Sequence, residues 1–471
     1  MSRLIVVSNR VSPPAEEGAA SVGGLAMALA AGLRRYKGVW FGWSGDTTEQ
    51  FDGALATTET DGVTIATVDL EEIDVQEYYN GYANKTLWPL FHYRIDLTAY
   101  DRSFGEGYDR VNRRFAETIR PLIEPGDIVW IHDYHLIPMG RELRRLGVEN
   151  PIGFFLHIPW PARQLVTTLP RHRQLVEALF AYDLIGFQTT EWLAAFEDYV
   201  VHEVGGGVAP DGRLQAFGAT TRAAAFPIGI DAGEFAAAVR SDTAMRMYDR
   251  MAASTVFRSM IVGVDRLDYS KGLEERFLGY ERFLHDFPEY RREVFMLQIA
   301  PISRDDVDTY QDLRARLDAL SGRINGAYAD TDWSPIRYVN RNYRRDELAG
   351  IYRAARVGLV TPLRDGMNLV AKEFVAAQNP DDPGVLILSR FAGAALQMKD
   401  ALIVNPFSPE EVAEALKRAL SMDRGERIRR WRALYDGVAA EDVTAWRDSF
   451  VAALEATRTH QPHPAGRALN T

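Results

Sequence analysis

A chain of 471 residues, 46% hydrophobic and 25% charged, has an ordinary globular composition and is too long for one core, so two domains are expected. Its 54 basic and 65 acidic residues leave a net charge of −11, which argues against nucleic-acid or anionic-membrane partners, and the lack of cysteine excludes disulfides, thiolate ligands and a cysteine nucleophile. No apolar run approaches the roughly 20 residues of a membrane span, the N-terminal apolar stretch stops at Asn9 and Arg10 before it could form a signal-peptide core, and the expected location is the cytoplasm.

Short apolar runs then alternate with amphipathic helical patterns. Strands are expected at Leu4–Ser8 and Val39–Trp43, with a glycine pair, Gly23 and Gly24, opening a helix over Gly24–Tyr36 between them. An aromatic-rich segment, Glu77–Tyr93, follows. Further strands are expected at Asp127–His132, Ile152–Leu156, Asp183–Phe187 and Phe226–Ile230. A helical stretch, Ala232–Ser254, leads into a second series of strands at Met260–Val264, Val294–Ile299, Ile336–Val339, Val357–Thr361, Val385–Leu388 and Leu402–Val404. Helices are expected within it at Glu274–His285 and Val412–Met422. Continuous apolar runs suit strands covered on both faces, and their alternation with helices is the βαβ signature. The fold class is therefore α/β, with two Rossmann-like doubly wound domains facing a central cleft. The expected division is 1–235, 236–450 and a tail, 451–471, comprising a helix end and loose chain.

In doubly wound sheets ligands bind beyond the carboxyl ends of the strands. Arg10, Asp133, His157, Arg266, Lys271, Arg304 and Asp365 all follow strand candidates. The most informative stretch is Arg364–Glu373, RDGMNLVAKE. A strand gives way to a glycine-containing loop and a helix expected to begin with Gly366, Met367, Asn368 and Leu369. Free amides at such a point bind phosphate, while Asp365 and Glu373 suit sugar hydroxyls. The same stretch also reads as a surface loop with an N-cap Asp and a solvated Glu. In VGVDRLDYSKGL, Arg266 and Lys271 share one strand-to-helix loop and could neutralise a diphosphate leaving group. A single His157 in FFLHIPW reads equally as a satisfied, half-buried histidine. The aromatic segment around Tyr79 and Trp88 suits the C–H faces of sugars, or ordinary core packing. Asp330 and Asp332 form a DxD pair, but it precedes a strand at the wrong end for the cleft. It is read as a solvated turn, Asp305 and Asp306 as a helix N-terminus, and no metal is expected.

The ordered motifs resemble those of the trehalose-6-phosphate synthase family of retaining GT-B glycosyltransferases. The match includes SNR (Ser8–Arg10), GGL (Gly23–Leu25), WFGWSG (Trp40–Gly45), EYYN (Glu77–Asn80), LWPLFHYR (Leu87–Arg94) and WIHDYHL (Trp130–Leu136). It continues through GFFLHIP (Gly153–Pro159), RLDYSKGL (Arg266–Leu273), AP-S-R (Ala300–Arg304) and TPLRDGMNLVAKEFVAAQ (Thr361–Gln378). The resemblance implies transfer of glucose from a nucleotide diphosphate to glucose 6-phosphate, with no cofactor and no enzymic nucleophile. It implies Arg10, Tyr79, Trp88, Asp133 and Arg304 at the acceptor. It places Gly23, Gly24, Arg266, Lys271, Asp365 and the backbone of Gly366, Met367, Asn368, Leu369 and Val370 at the donor glucose and diphosphate. Glu373 is implied at the ribose, Tyr343 at the base, and His157 near the 6-hydroxyl of the transferred glucose. Arg266, Lys271, His157 and Asp365 are the implied catalytic group.

Trp160 and Ala162 depart from the family pattern, which puts the acceptor-side rim in question, and Tyr343 stands where phenylalanine is expected. No phosphatase domain follows in the sequence, so dephosphorylation is expected of another protein. The alternatives are a same-fold transferase with another acceptor, such as a glucosylglycerol-phosphate synthase or a pseudo-glycosyltransferase; a phosphorylase carrying pyridoxal phosphate; and a non-catalytic sugar-phosphate sensor. The sequence leaves the donor base open among UDP, ADP and GDP, and the oligomeric state open, a homo-oligomer included.

Overall fold

A computed structural model of the chain describes residues 3–11, 33, 38–60, 62–255, 258–302 and 308–459. They form two compact units, one running to Phe226 and resuming at Trp446, the other spanning Pro227–Ala445.

The first unit holds a sheet in the order Ala56–Thr60, Val63–Glu71, Val39–Thr48, Leu4–Arg10, Ile128–His132, Ile152–Phe155, Leu184–Phe187, Ala219–Ala225, Arg213–Ala216, Gly207–Val208. The strands from Val63–Glu71 through Ala219–Ala225 run parallel, with antiparallel pairs at both edges. The second unit holds an all-parallel sheet in the order Ile336–Val339, Val294–Ile299, Ser259–Val264, Val357–Val360, Val385–Ser389, Leu402–Val404. Each is Rossmann-like. Among the described residues no helix is long and apolar enough to cross a membrane.

Several elements differ from the sequence expectation. Phe226–Ile230 is not a strand; the last parallel strand of the first unit is Ala219–Ala225, and the Phe226 N–H closes on Phe187 O at 2.7 Å. The chain thus leaves the first unit ahead of residue 235. That strand and Ala56–Thr60 read ATTRAAA and ATTET, half or wholly exposed, with no apolar run to announce them. Ala232–Ser254 is two helices, Ala232–Ala238 and Asp242–Thr255. The helix expected over Gly24–Tyr36 lies outside the described residues except for Leu33, as does the tail from residue 460.

The aromatic segment is a wide helix. Val75–Leu87 is a π-helix, continued by Trp88–Phe91, and the Trp88 N–H donates five residues back to Ala83 O. Its start is pinned by Asp74, fully buried between Arg110 (2.8 Å) and Arg114. π-turns of this kind are rare and concentrate at functional sites.

The C-terminal helix, Val443–Glu455, serves the first unit. Trp446, Phe450 and Leu454 are buried, and the Phe450 ring stacks on Trp130 at 4.6 Å. Gly153 and Gly186 make the room: a Cβ on either would stand 2.8 Å from Phe450. Each such buried side chain contributes roughly 1.5–3 kcal/mol.

Candidate functional site

In the second unit the site grows from the carboxyl ends of the strands Ser259–Val264 and Val357–Val360. After the first of these, Asp268 turns the chain by accepting from Ser270 N at 2.9 Å. Gly272, at φ 64°, then starts the helix Leu273–Asp286. A Cβ at Gly272 would lie 2.4 Å from Thr361 O, so glycine is required both for the turn and for the approach of the two loops. The Leu363 N–H donates to Ser270 O at 2.8 Å and ties the loops together.

That tie brings two predicted residues into contact: Lys271 Nζ lies 2.5 Å from Asp365 Oδ2. Asn368 Nδ2 donates to the same oxygen at 3.1 Å, while Asn368 Oδ1 accepts from Ala371 N at 3.2 Å. The helix therefore begins at Leu369, with Asn368 as N-cap at φ 88° and ψ 92°. This corrects the expected first turn of Gly366–Leu369. Asp365 lies in the loop, as its place ahead of Gly366 implied, and the cap is Asn368 rather than an aspartate. The Leu369 and Val370 amides, in the first turn, have no intrahelical acceptor. Arg266 is exposed in the loop after Ser259–Val264, and Gly366, Met367 and Asn368 are buried in the loop after Val357–Val360.

Beneath the loops sits a buried guanidinium. Arg276 pairs with Asp265 at 2.7 Å, donates to Gln298 Oε1 at 2.9 Å and to Thr361 Oγ1 at 3.0 Å, and so joins the ends of three adjacent strands. Burial pushes the Asp265 carboxyl up, opposed by Arg276. Farther along the helix, burial pushes half-buried Glu373 up to about 7, with Arg345 opposing. Its neighbour Lys372 is committed internally, donating to Ile228 O and Gln397 Oε1 at 2.8 Å each. Tyr343 is half-buried under the Arg341 guanidinium, 4.7 Å above its ring. Asp330 and Asp332 face arginines, Arg292 at 2.9 and 2.8 Å and Arg258 at 3.3 Å.

In the first unit the predicted residues form a chain of ring contacts. Arg10 is exposed at the end of its strand, its guanidinium 5.6 Å from the Trp43 ring. Trp43 meets Tyr79 edge-on at 5.6 Å, and Tyr79 stacks on His135 at 5.9 Å with an interplanar angle of 14°. Tyr134 lies 3.9 Å from His135 and 5.6 Å from Trp88. Gly45 admits Arg10: a Cβ there would fall 2.2 Å from Nη2. Asp133 stands at φ 75° and ψ 167°, a conformation costly for a residue with a side chain. Its carboxylate accepts from His157 N at 3.2 Å and its own N–H donates to Phe155 O at 2.8 Å.

His157 is half-buried and its ring is hydrogen-bonded at both nitrogens, to His132 Nδ1 at 3.0 Å and to Gln188 Nε2 at 3.3 Å. Burial lowers it to about 3, so it is neutral at physiological pH. Trp160 is 1% exposed, packed between Phe91 and Phe196, so this departure belongs to the core and not to a rim. The Ala162 N–H donates to the Tyr93 hydroxyl oxygen at 3.1 Å. Gly23, Gly24, Arg304, Asp305 and Asp306 lie outside the described residues.

The Asn368 side chain, Arg276, Trp43, His135, His132 and Gln188 carry no role in the sequence reading. Trp43, His132 and His135 fall inside motifs quoted for the resemblance, and their adjacency to named residues was the available signal.

The profile of glycosyltransferase family 20 matches residues 2–456. A trehalose-6-phosphate synthase of Sinorhizobium fredii is 47% identical over 459 residues, 97% of this chain and 99% of that protein. Among solved structures, an α,α-trehalose-phosphate synthase (UDP-forming) from Burkholderia xenovorans in complex with glucose-6-phosphate is 50% identical with a TM-score of 0.92, covering 96% of this chain and 100% of that one. The Escherichia coli enzyme bound with UDP-2-fluoro glucose is 45% identical, also with a TM-score of 0.92, covering 96% and 99%.

Proposed function

The chain belongs to glycosyltransferase family 20, and from that premise we propose that it moves glucose from a nucleotide diphosphate to glucose 6-phosphate with retention. The products are α,α-trehalose 6-phosphate and the nucleoside diphosphate. The observation that carries this reading is the Lys271–Asp365–Asn368 cluster at the strand ends, 2.5 and 3.1 Å between partners. A cation there meets the leaving phosphate, and an oriented carboxylate meets a glucose hydroxyl.

The glycosidic C1–O bond to the β-phosphate breaks as the acceptor oxygen approaches C1 from the same face. The acceptor hydroxyl proton passes to the departing phosphate oxygen, so charge and atoms balance without an enzymic nucleophile. Negative charge peaks on the leaving group, where Arg266 and Lys271 stabilise it more in the transition state than in the bound donor. The amides of Gly366, Met367, Asn368, Leu369 and Val370, with Gly23 and Gly24, hold the diphosphate and the glucose. Glu373 takes the ribose and Tyr343 lies at the base. UDP-forming neighbours support UDP-glucose as the donor. Arg10 and Arg304 take the acceptor phosphate, and Tyr79, Trp88 and Asp133 its sugar. His157 meets the 6-hydroxyl of the transferred glucose. The substrates are the expected partners, and the cytoplasm is the expected location.

An acceptor panel tests this. With UDP-glucose, nucleotide release should be fast with glucose 6-phosphate and very slow with glucose or glycerol 3-phosphate. Faster release with glycerol 3-phosphate would move the assignment to a glucosylglycerol-phosphate synthase.

A further inference from the structure

Three adjacent parallel strands of the first unit, Ile128–His132, Ile152–Phe155 and Leu184–Phe187, end in a row of side chains: His132, His157 and Gln188. His132 is 1% exposed, and its Nδ1 lies 3.0 Å from His157 Nε2. Gln188, also 1% exposed, brings Nε2 to 3.3 Å from His157 Nδ1. A shared hydrogen has one direction along such a row. The amide nitrogen of Gln188 can only donate, so His157 Nδ1 accepts. His157 Nε2 then carries the hydrogen and donates to His132 Nδ1, which leaves the His132 hydrogen on Nε2.

The far end of the row is apolar and aromatic. His132 Nε2 is buried with no oxygen or nitrogen partner. Its ring lies among the rings of Trp130 at 4.5 Å, Trp446 at 6.3 Å and Phe155 at 6.4 Å. An N–H is attracted to the negative face of an aromatic ring, whereas a nitrogen lone pair is repelled by it. The reverse polarity would place a lone pair there and is disfavoured.

We propose that His132 is a positioning residue for glucose transfer: it fixes His157 as the neutral Nε2–H tautomer and, with Gln188 on Nδ1, holds in place the ring that meets the hydroxymethyl group of the transferred glucose. The proposal rests on the reading of His157 as a contact to that sugar. A histidine nitrogen engaged on one side sets what the other can do, and partners that orient metal-bound histidines in this way are worth about 10–100-fold when removed.

The test combines tautomer and rate in the full-length protein. Nitrogen NMR of 15N-histidine-labelled protein, with the His157 signals identified by their loss in His157→Ala, should show the Nε2–H form in the wild type. In His132→Phe, which fills the space without an acceptor, those signals should shift to a tautomer mixture. The kcat should fall about 10–100-fold with little change in UDP affinity. His132→Asn, whose side-chain oxygen can accept in place of Nδ1, should recover most of the rate. An Nδ1–H tautomer in the wild type overturns the proposal even if the Phe variant does not fold. A normal kcat in His132→Phe beside a slow His157→Ala overturns the proposal alone. A normal kcat in His157→Ala overturns the reading of His157 and the proposal with it.

Discussion

Lys271 and Asp365 are 94 residues apart in sequence yet 2.5 Å apart at the strand ends. If Lys271 stabilises the departing phosphate, Lys271→Ala should lower kcat by about 10²–10³ while UDP still binds measurably. A raised donor KM with near-normal kcat would instead mark Lys271 as a ground-state binding group. Glu373 offers a second test at this scale. Its carboxyl is pushed from 4.5 up to about 7, so the folded chain holds this proton more tightly than the unfolded chain. Stability from this group is therefore present below pH 4.5 and is lost as pH rises through about 7. Glu373→Gln should flatten the pH dependence of the melting temperature across that window. An unchanged slope would show that Glu373 does not titrate there. The identities of Lys271, Arg266 and Asp365 were legible because each follows an apolar strand and charge type limits their chemistry. Asn368 was legible only as backbone. Its cap role depends on a left-handed φ and a side chain turned back to Asp365, neither of which composition records.

Gly272 decides the geometry at the level of elements. It is left-handed, and a Cβ would stand 2.4 Å from Thr361 O, between the loop of Lys271 and the loop of Asp365. Gly272→Ala should cost about 1–3 kcal/mol in stability and lower kcat, because the two loops must separate. Chemical denaturation with activity measured on the folded protein checks both. Wild-type kcat in a destabilised variant would uncouple the loop contact from catalysis. Parallel strands covered by helices on both faces were easy to read, since burial demands unbroken apolar runs. The edge strands Ala56–Thr60 and Gly207–Val208 were not, because exposed strands need only backbone partners. The π-helix of Val75–Leu87 was also hidden. Its extra residue per turn is held by tertiary contacts such as Asp74 with Arg110 and Arg114, which lie far along the chain.

Taken as a whole molecule, the chain enters its second unit at Pro227 and returns to the first at Trp446. The return was not legible: an amphipathic helix at the C-terminus carries no mark of which sheet it covers, and the expected boundary at residue 450 falls within it. Ending the chain after Ala445 would strip Trp446 and Phe450 from Trp130 and Phe155, and remove buried Leu454 from beside Gly153. The truncated protein should lose the first unit's cooperative melting while an intact second unit still binds UDP. Retention of full-length melting behaviour would show that the helix is dispensable.

The central claim is the reaction itself. Proton NMR of the purified protein with UDP-glucose and glucose 6-phosphate reads the new glycosidic bond directly. The expected spectrum contains two α-anomeric protons of a 1,1-linked disaccharide phosphate, appearing in step with UDP. A β-anomeric signal would contradict retention, and UDP accompanied only by free glucose would contradict transfer.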